Sequence, residues 1–149
     1  MPRRIVIIFI SAFILNLIWE HLHSVLYVSY KGETVTNLIL LRAALFDAAV
    51  ISFSSYPFLL WKPGFYRCCR SLASTTLFVV CLTLFAVTLE KWALITSRWT
   101  YTDTMPIIPF LDVGLTPAIQ LGLLGYLSVW FADFYSKKTA SRESVSGTP

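Results

Sequence analysis

Residues 71–97 read SLASTTLFVVCLTLFAVTLEKWALITS, and this stretch decides the fold. From Ser71 to Leu89 it carries no charge; Glu90 and Lys91 then follow inside the same apolar run. As a helix rising ~1.5 Å per residue, such a run covers the ~30 Å of a bilayer's hydrocarbon. In lipid the backbone must pair with itself, so an isolated run of this kind is a helix rather than a strand. Ionisable groups at that depth are costly, and a membrane protein that keeps them usually uses them.

Three further runs have the same character. Working outward, the predicted spans are about 4–30, 37–61, 71–97 and 113–135. The second stops before Lys62-Pro63-Gly64, and Val113 to Ala132 is again free of charge. The start, Met1-Pro2-Arg3-Arg4 followed by Ile5 to Leu15, has the outline of a signal peptide. No small-x-small cleavage site follows, so it reads as a retained first helix. The expected fold class is all-α: one domain, 1–136, forming an integral membrane bundle of four transmembrane helices. The Ser/Thr-rich segment 137–149 reads as a disordered cytoplasmic tail.

Composition agrees. Of 149 residues, 56% are hydrophobic and 13% charged. Soluble domains average about 45–50% apolar and 25% charged, so a soluble core of this size would leave too much apolar surface in water. The net charge of +4 is not gathered into a basic stripe with interleaved aromatics, which argues against nucleic acid as a partner. Three cysteines form no even disulfide framework. Cys68 and Cys69, in Arg67-Cys68-Cys69-Arg70, read as free thiols near the membrane, in a setting that also admits acylation.

Orientation follows from Lys and Arg. Arg3, Arg4, Lys62, Arg67, Arg70, Lys137, Lys138 and Arg142 fall at the N-terminus, in the second loop and at the C-terminus; Lys31 and Arg98 fall in the other two loops. The positive-inside rule then puts both termini in the cytoplasm and the loops after the first and third helices outside.

Counting along the helices at ~1.5 Å per residue brings the polar residues to one level. Glu20 lies about 24 Å above Arg4, Asp47 about 15 Å below Asn37, Glu90 about 28 Å above Ser71, and Gln120 about 10 Å below Val113. Asn16, Glu20, His23, Arg42, Asp47, Glu90 and Gln120 thus share the outer half, and the inner half is nearly all apolar. Asn16, Glu20 and His23, at i, i+4 and i+7, share one face of helix 1. Beyond helix 3 comes a Pro-rich loop, Arg98 to Asp112, with Trp99 and Tyr101. A faint repeat is visible, Glu20 followed by Tyr30 and Glu90 followed by Trp99 and Tyr101.

Two readings of the charges compete. In one, Glu20 and Glu90 pair with Arg42, Lys91 or Arg98 and hold the helices together. In the other they form a pocket for a lipid-soluble molecule. Burial favours the neutral form of a carboxyl, which suits it to proton transfer near neutral pH. Glu20 or Glu90 would then be the acid, with Asp47 or His23 as the acceptor. Asn16, Trp19, Arg42, Arg98, Trp99, Tyr101 and Gln120 would contact the substrate, and the aromatic rings would stabilise a developing cation. No cofactor is implied. Glu20-His21-Leu22-His23 holds half of a di-iron ligand set. His21 and His23 point about 200° apart on a helix, and no metal site is expected. Hydrolase and phosphate-loop motifs are absent from the sequence.

Glu90, Trp99 and Tyr101, followed by Gly114, Pro117 and Gln120, resemble the carboxylate, Trp-x-Tyr, Gly and Pro pattern of small membrane lycopene cyclase domains and, more loosely, carotenoid hydratases. The match covers about a fifth of the chain. The resemblance implies a helical membrane enzyme that protonates a polyene and then deprotonates or hydrates the cation. The cyclases follow their proline with a pair of acids, where Pro117-Ala118-Ile119-Gln120 offers a glutamine. The whole chain resembles a family of small prokaryotic four-helix membrane proteins. The signature is Asn16-x-x-Trp19-Glu20-x-x-His23, Asp47, Glu90, Arg98-Trp99-x-Tyr101-x-x-x-Met105-Pro106 and Val113-Gly114-Leu115-Thr116-Pro117-x-x-Gln120. That resemblance implies the plasma membrane of a prokaryote and carries no activity with it. The expected partner is a membrane lipid or lipid-soluble small molecule. A homo-oligomer or a larger membrane complex, in which the charges serve assembly, is the alternative.

Overall fold

Four long helices carry the chain: α1 (Pro2–His23), α2 (Asn37–Leu60), α3 (Leu72–Ile95) and α4 (Leu115–Ser146). The computed structural model describes residues 2–60 and 72–146. The basic loop with Lys62, Arg67, Cys68, Cys69 and Arg70 lies outside the described residues, so the readings that fell on it are untouched. Each helix contains a segment long and apolar enough to cross a membrane, as the hydropathy predicted. Their outer faces carry Phe53, Leu77, Leu84 and Phe131, all exposed.

The helices alternate in direction and pack in an arc. α2 lies against α1, α1 against α4, and α4 against α3. α2 and α3, the ends of the arc, have no extensive contact. Small residues set the close approaches, with Ala12, Ala44 and Ala48 fully buried where α1 meets α2. A Cβ at Gly122 would collide with Thr83 Oγ1, and one at Gly125 with Leu82, so these two glycines let α4 settle on α3. Ile8, Ile51, Phe78, Leu82, Leu121 and Leu124 complete the core.

The first helix is shorter than expected. It ends at His23 rather than Tyr30 and passes through one 3-10 turn, Ser24–Leu26, into a strand, β1 (Tyr27–Tyr30). β1 pairs antiparallel with β2 (Trp99–Tyr101), which follows α3. β-branched and aromatic residues favour this pleated form over further helix. A second small ribbon, β3 (Ile107–Ile108) with β4 (Val113–Gly114), leads into α4. The two ribbons cap one end of the bundle, called the ribbon end below. At the opposite end Arg4 forms an ion pair with Asp133, a contact the sequence reading did not anticipate.

α4 does not stop near Tyr135. It continues to Ser146, through most of the segment read as a disordered tail. No Gly or Pro falls between Tyr135 and Gly147, and Ala, Lys, Arg and Glu support helix.

Candidate functional site

The antiparallel packing of α1 on α4 sets two polar stripes against each other. Gln120 Nε2 donates to Glu20 Oε1 at 2.7 Å, to Asp47 Oδ2 at 2.9 Å and to Asn16 Oδ1 at 3.1 Å. Three oxygens around one amide terminus require it to be the nitrogen. An NH2 group has two hydrogens, so three acceptors compete for two donors. Asn16 turns its own Nδ2 to Ala12 O at 2.8 Å. One helical turn nearer the ribbon end, His23 Nε2 meets Thr116 Oγ1 at 2.7 Å. The i, i+4, i+7 stripe on α1 is therefore a ladder against Gln120 and Thr116.

The third carboxyl is held differently. Glu90 Oε1 accepts from Tyr101 Oη at 2.5 Å and from Tyr27 Oη at 3.3 Å. Tyr101 Oη in turn accepts from the Gly114 backbone N–H at 3.0 Å. Burial beside Glu90 pushes both tyrosine hydroxyls above their ordinary pKa. Burial is the larger cause in each case; the Glu90 charge is next for Tyr27 and the Glu90 hydrogen bond next for Tyr101.

The ribbon explains how these rings reach one place. On β2, Trp99 and Tyr101 are two apart and face the same way. On β1, Tyr27 and Tyr30 are three apart and would face oppositely in a regular strand. A bulge between Tyr27 and Ser29 adds a residue and brings them to one side. Tyr27 then lies 4.9 Å from Trp99 and 5.6 Å from Tyr101 between ring centroids, and Tyr30 lies 4.6 Å from Trp99.

Arg98 is fixed by the end of α3. Ser97 is left-handed (φ 53°), Ser97 N–H bonds to Leu94 O at 3.0 Å, and Arg98 N–H bonds to Ala93 O at 2.8 Å. This is a Schellman termination. It lays the Arg98 guanidinium over the Trp92 ring, 4.1 Å from its centroid.

Between the ends of the arc lies a cleft of about 530 Å³. Glu20, Gln120 and Leu121 form its back wall. Arg42, Phe46 and Asp47 of α2 flank it on one side, and Ala86, Glu90 and Trp92 of α3 on the other. Tyr27, Tyr30, Arg98 and Trp99 close it at the ribbon end.

The sequence-derived candidates divide accordingly. Glu20, Asp47, Glu90, Arg42, Arg98, Trp99 and Gln120 line the cleft. Asn16 and Tyr101 lie behind it, each hydrogen-bonded to a lining residue. His23 and Trp19 are not brought to it. His23 meets Thr116 through Nε2, has no partner for its buried Nδ1 among the described residues, and packs edge-on against Tyr27, 4.9 Å between centroids, while Trp19 packs on the core. The reason is local: α1 ends at His23, and the ring follows the ladder to α4. His23 therefore stands outside the cleft lining.

The expected pairing of Glu20 and Glu90 with Arg42, Lys91 or Arg98 is also not formed. Among the described residues the three carboxyl groups make no ion pair; their hydrogen-bond partners, Gln120, Tyr27 and Tyr101, are all neutral. Tyr27 and Tyr30 were missed as cleft residues. Their signal was Tyr27-Val28-Ser29-Tyr30 followed by Gly32, a β-prone segment before a turn. Among the described residues no group of three metal-binding side chains occurs.

Comparisons with protein-family models, curated proteins and solved structures find no match to this chain.

Proposed function

We propose that this chain is an integral membrane protein that takes a lipid-soluble molecule into the cleft between α2 and α3 and performs acid–base chemistry on it. The observation that carries the reading is the cleft itself, lined by three carboxyl groups that form no ion pair among the described residues. The exposed apolar exterior and four long apolar helices support lipid as the solvent. Because α2 and α3 are not packed together, the cleft faces sideways, where a molecule dissolved in the bilayer would enter.

Glu20 and Asp47 converge on a single amide nitrogen. In the proposed step one of the two carries a proton. That proton is available to a carbon–carbon double bond held in the cleft, and the resulting cation would lie beneath Tyr27, Tyr30 and Trp99. The carboxylate left by the first step then takes a proton from the neighbouring carbon, directly or by way of Glu90, which restores the pair. No proton is gained or lost overall. An isoprenoid or carotenoid-like chain fits this chemistry and the partial cyclase pattern. By the Lys/Arg distribution the ribbon end lies on the non-cytoplasmic side of a prokaryotic plasma membrane and both termini inside.

The second reading is a membrane subunit whose polar groups serve only packing and assembly. The ladder of Asn16, Glu20 and His23 against Gln120 and Thr116 favours it. One experiment separates the two. Wild type, Glu20→Gln and Glu90→Gln are produced in cells and purified, and the cell lipids and retained lipids are compared by mass spectrometry. Altered lipid or pigment with wild type, lost in variants that stay abundant and monodisperse, supports chemistry in the cleft. Unchanged lipids, with reduced protein level and loss of a co-purifying complex, support assembly.

A further inference from the structure

Two arginines flank the cleft on opposite sides. Arg42 comes from α2 and Arg98 from the turn after α3, and both line the same space as Glu20, Asp47 and Glu90. Neither forms an ion pair among the described residues, although three carboxyl groups line that space. The cleft therefore keeps its charges apart. Its acids are held by neutral donors, Gln120 in the back wall and Tyr27 and Tyr101 of the ribbon, and its guanidinium groups are left to face something else.

The setting of Arg98 indicates what that is. One face of its guanidinium lies over the Trp92 ring, and its side-chain donors make no hydrogen bond or ion pair among the described residues. An arginine stacked in this way is arranged for two parallel hydrogen bonds to an oxyanion. The backbone holds it there, since Arg98 N–H is bonded to Ala93 O and Arg98 O accepts from Lys31 N–H at 2.8 Å. Arg42 is on a regular helix, five residues from its start, and supplies a second cation from across the gap. Phe46, Leu89 and Ala86 continue the walls with apolar surface away from the ribbon end.

We infer that the cleft binds an amphiphile with a phosphate-ester head, the head held between Arg42 and Arg98 and the hydrocarbon chain leaving between α2 and α3. This names the ligand class for the cleft and rests on the reading of that cleft as a lipid site. The head binds at the ribbon end, so the first carbons of the chain lie beside Glu90 and the Glu20–Asp47 pair, and the remainder runs toward lipid.

Isothermal titration of the purified protein in neutral detergent tests this with three probes: geranylgeranyl diphosphate, geranylgeraniol and inorganic pyrophosphate. The diphosphate ester is expected to bind at least about tenfold more tightly than either other probe, the gain of a charge-assisted hydrogen bond or more. Arg42→Gln and Arg98→Gln should each weaken it by about tenfold with unchanged circular dichroism, and Arg98→Lys should not restore it. Binding of the alcohol as tight as the ester overturns the anionic head and leaves the lipid cleft standing. Pyrophosphate as tight as the ester makes this a site for a free anion and overturns the amphiphile. Absence of binding by all three overturns both the head group and the isoprenoid cleft.

Discussion

The Glu20 carboxyl on α1 and the Asp47 carboxyl on α2 share one donor, Gln120 Nε2 on α4, at 2.7 and 2.9 Å. Their oxygens can be no farther apart than the sum of those distances. Three helices therefore meet at one amide. Gln120→Leu removes the shared donor and leaves buried acceptors unpaired. A loss of about 1–3 kcal/mol in reversible denaturation in mixed micelles is expected. Neutralising one acid in that background, with Asp47→Leu, should cost less than it does in the wild-type chain. The two changes touch one network, so their effects are not additive.

The tyrosines around Glu90 give a pH dependence. Tyr27 and Tyr101 have raised hydroxyl pKa values in the fold, through burial and the neighbouring Glu90. In the unfolded chain they ionise near pH 10. Above that pH the unfolded state has lost protons that the folded state keeps, so stability falls as pH rises. Their contribution is full below about pH 10 and is lost as pH climbs through the folded values. Denaturation midpoints between pH 8 and 11 should show this decline, and Tyr101→Phe with Tyr27→Phe should flatten it.

Gly122 and Gly125 hold α3 close to α4 by having no side chain. Gly122→Val would drive a methyl into Thr83 and is expected to destabilise by about 1–3 kcal/mol, as overpacking does. Gly32, with nothing within 4 Å of a built Cβ, has space but a left-handed backbone (φ 80°). Gly32→Ala should cost about 1 kcal/mol through that strain alone. Thermal denaturation of the two variants separates packing from backbone strain: only Gly122→Val should be eased by Thr83→Ala.

Ala43 lines the cleft from α2. Ala43→Trp fills it from α2, one helical turn from Asp47 and on the same face. The variant is expected to keep the wild-type melting temperature within a few degrees and to lose any lipid that co-purifies with the wild type, read by mass spectrometry.

Sidedness is tested with single cysteines in a chain whose own Cys68, Cys69 and Cys81 have been replaced. A membrane-impermeant maleimide added outside should label Asp103→Cys and spare Tyr66→Cys. The reverse pattern inverts the orientation.

Much of the architecture was legible because its cause is local. A charge-free run such as Ser71 to Leu89 states its own length and solvent preference, and the ends of α2 and α3 fell within a residue or two of the hydropathy boundaries. The common level of Glu20, Asp47, Glu90 and Gln120 also followed from counting, because a helix has a fixed rise. The end of α1 was misjudged, since Tyr27 to Tyr30 is apolar enough to continue a helix and becomes a strand only through pairing with Trp99 to Tyr101. The position of His23 outside the cleft lining was not legible for a related reason. Helical spacing gives the face a side chain lies on, and only the neighbour, Thr116, decides where the ring is used.

The sequence by itself determined four long apolar helices and a band of polar residues near one end, because hydropathy and helical rise are properties of single segments. Tertiary structure alone decided that α2 and α3 stand apart, that a bulge turns Tyr27 and Tyr30 to one side, and that Gln120 rather than an arginine holds Glu20 and Asp47. Each of these depends on which atoms far apart in the chain come within a hydrogen bond's reach, and no local pattern encodes that.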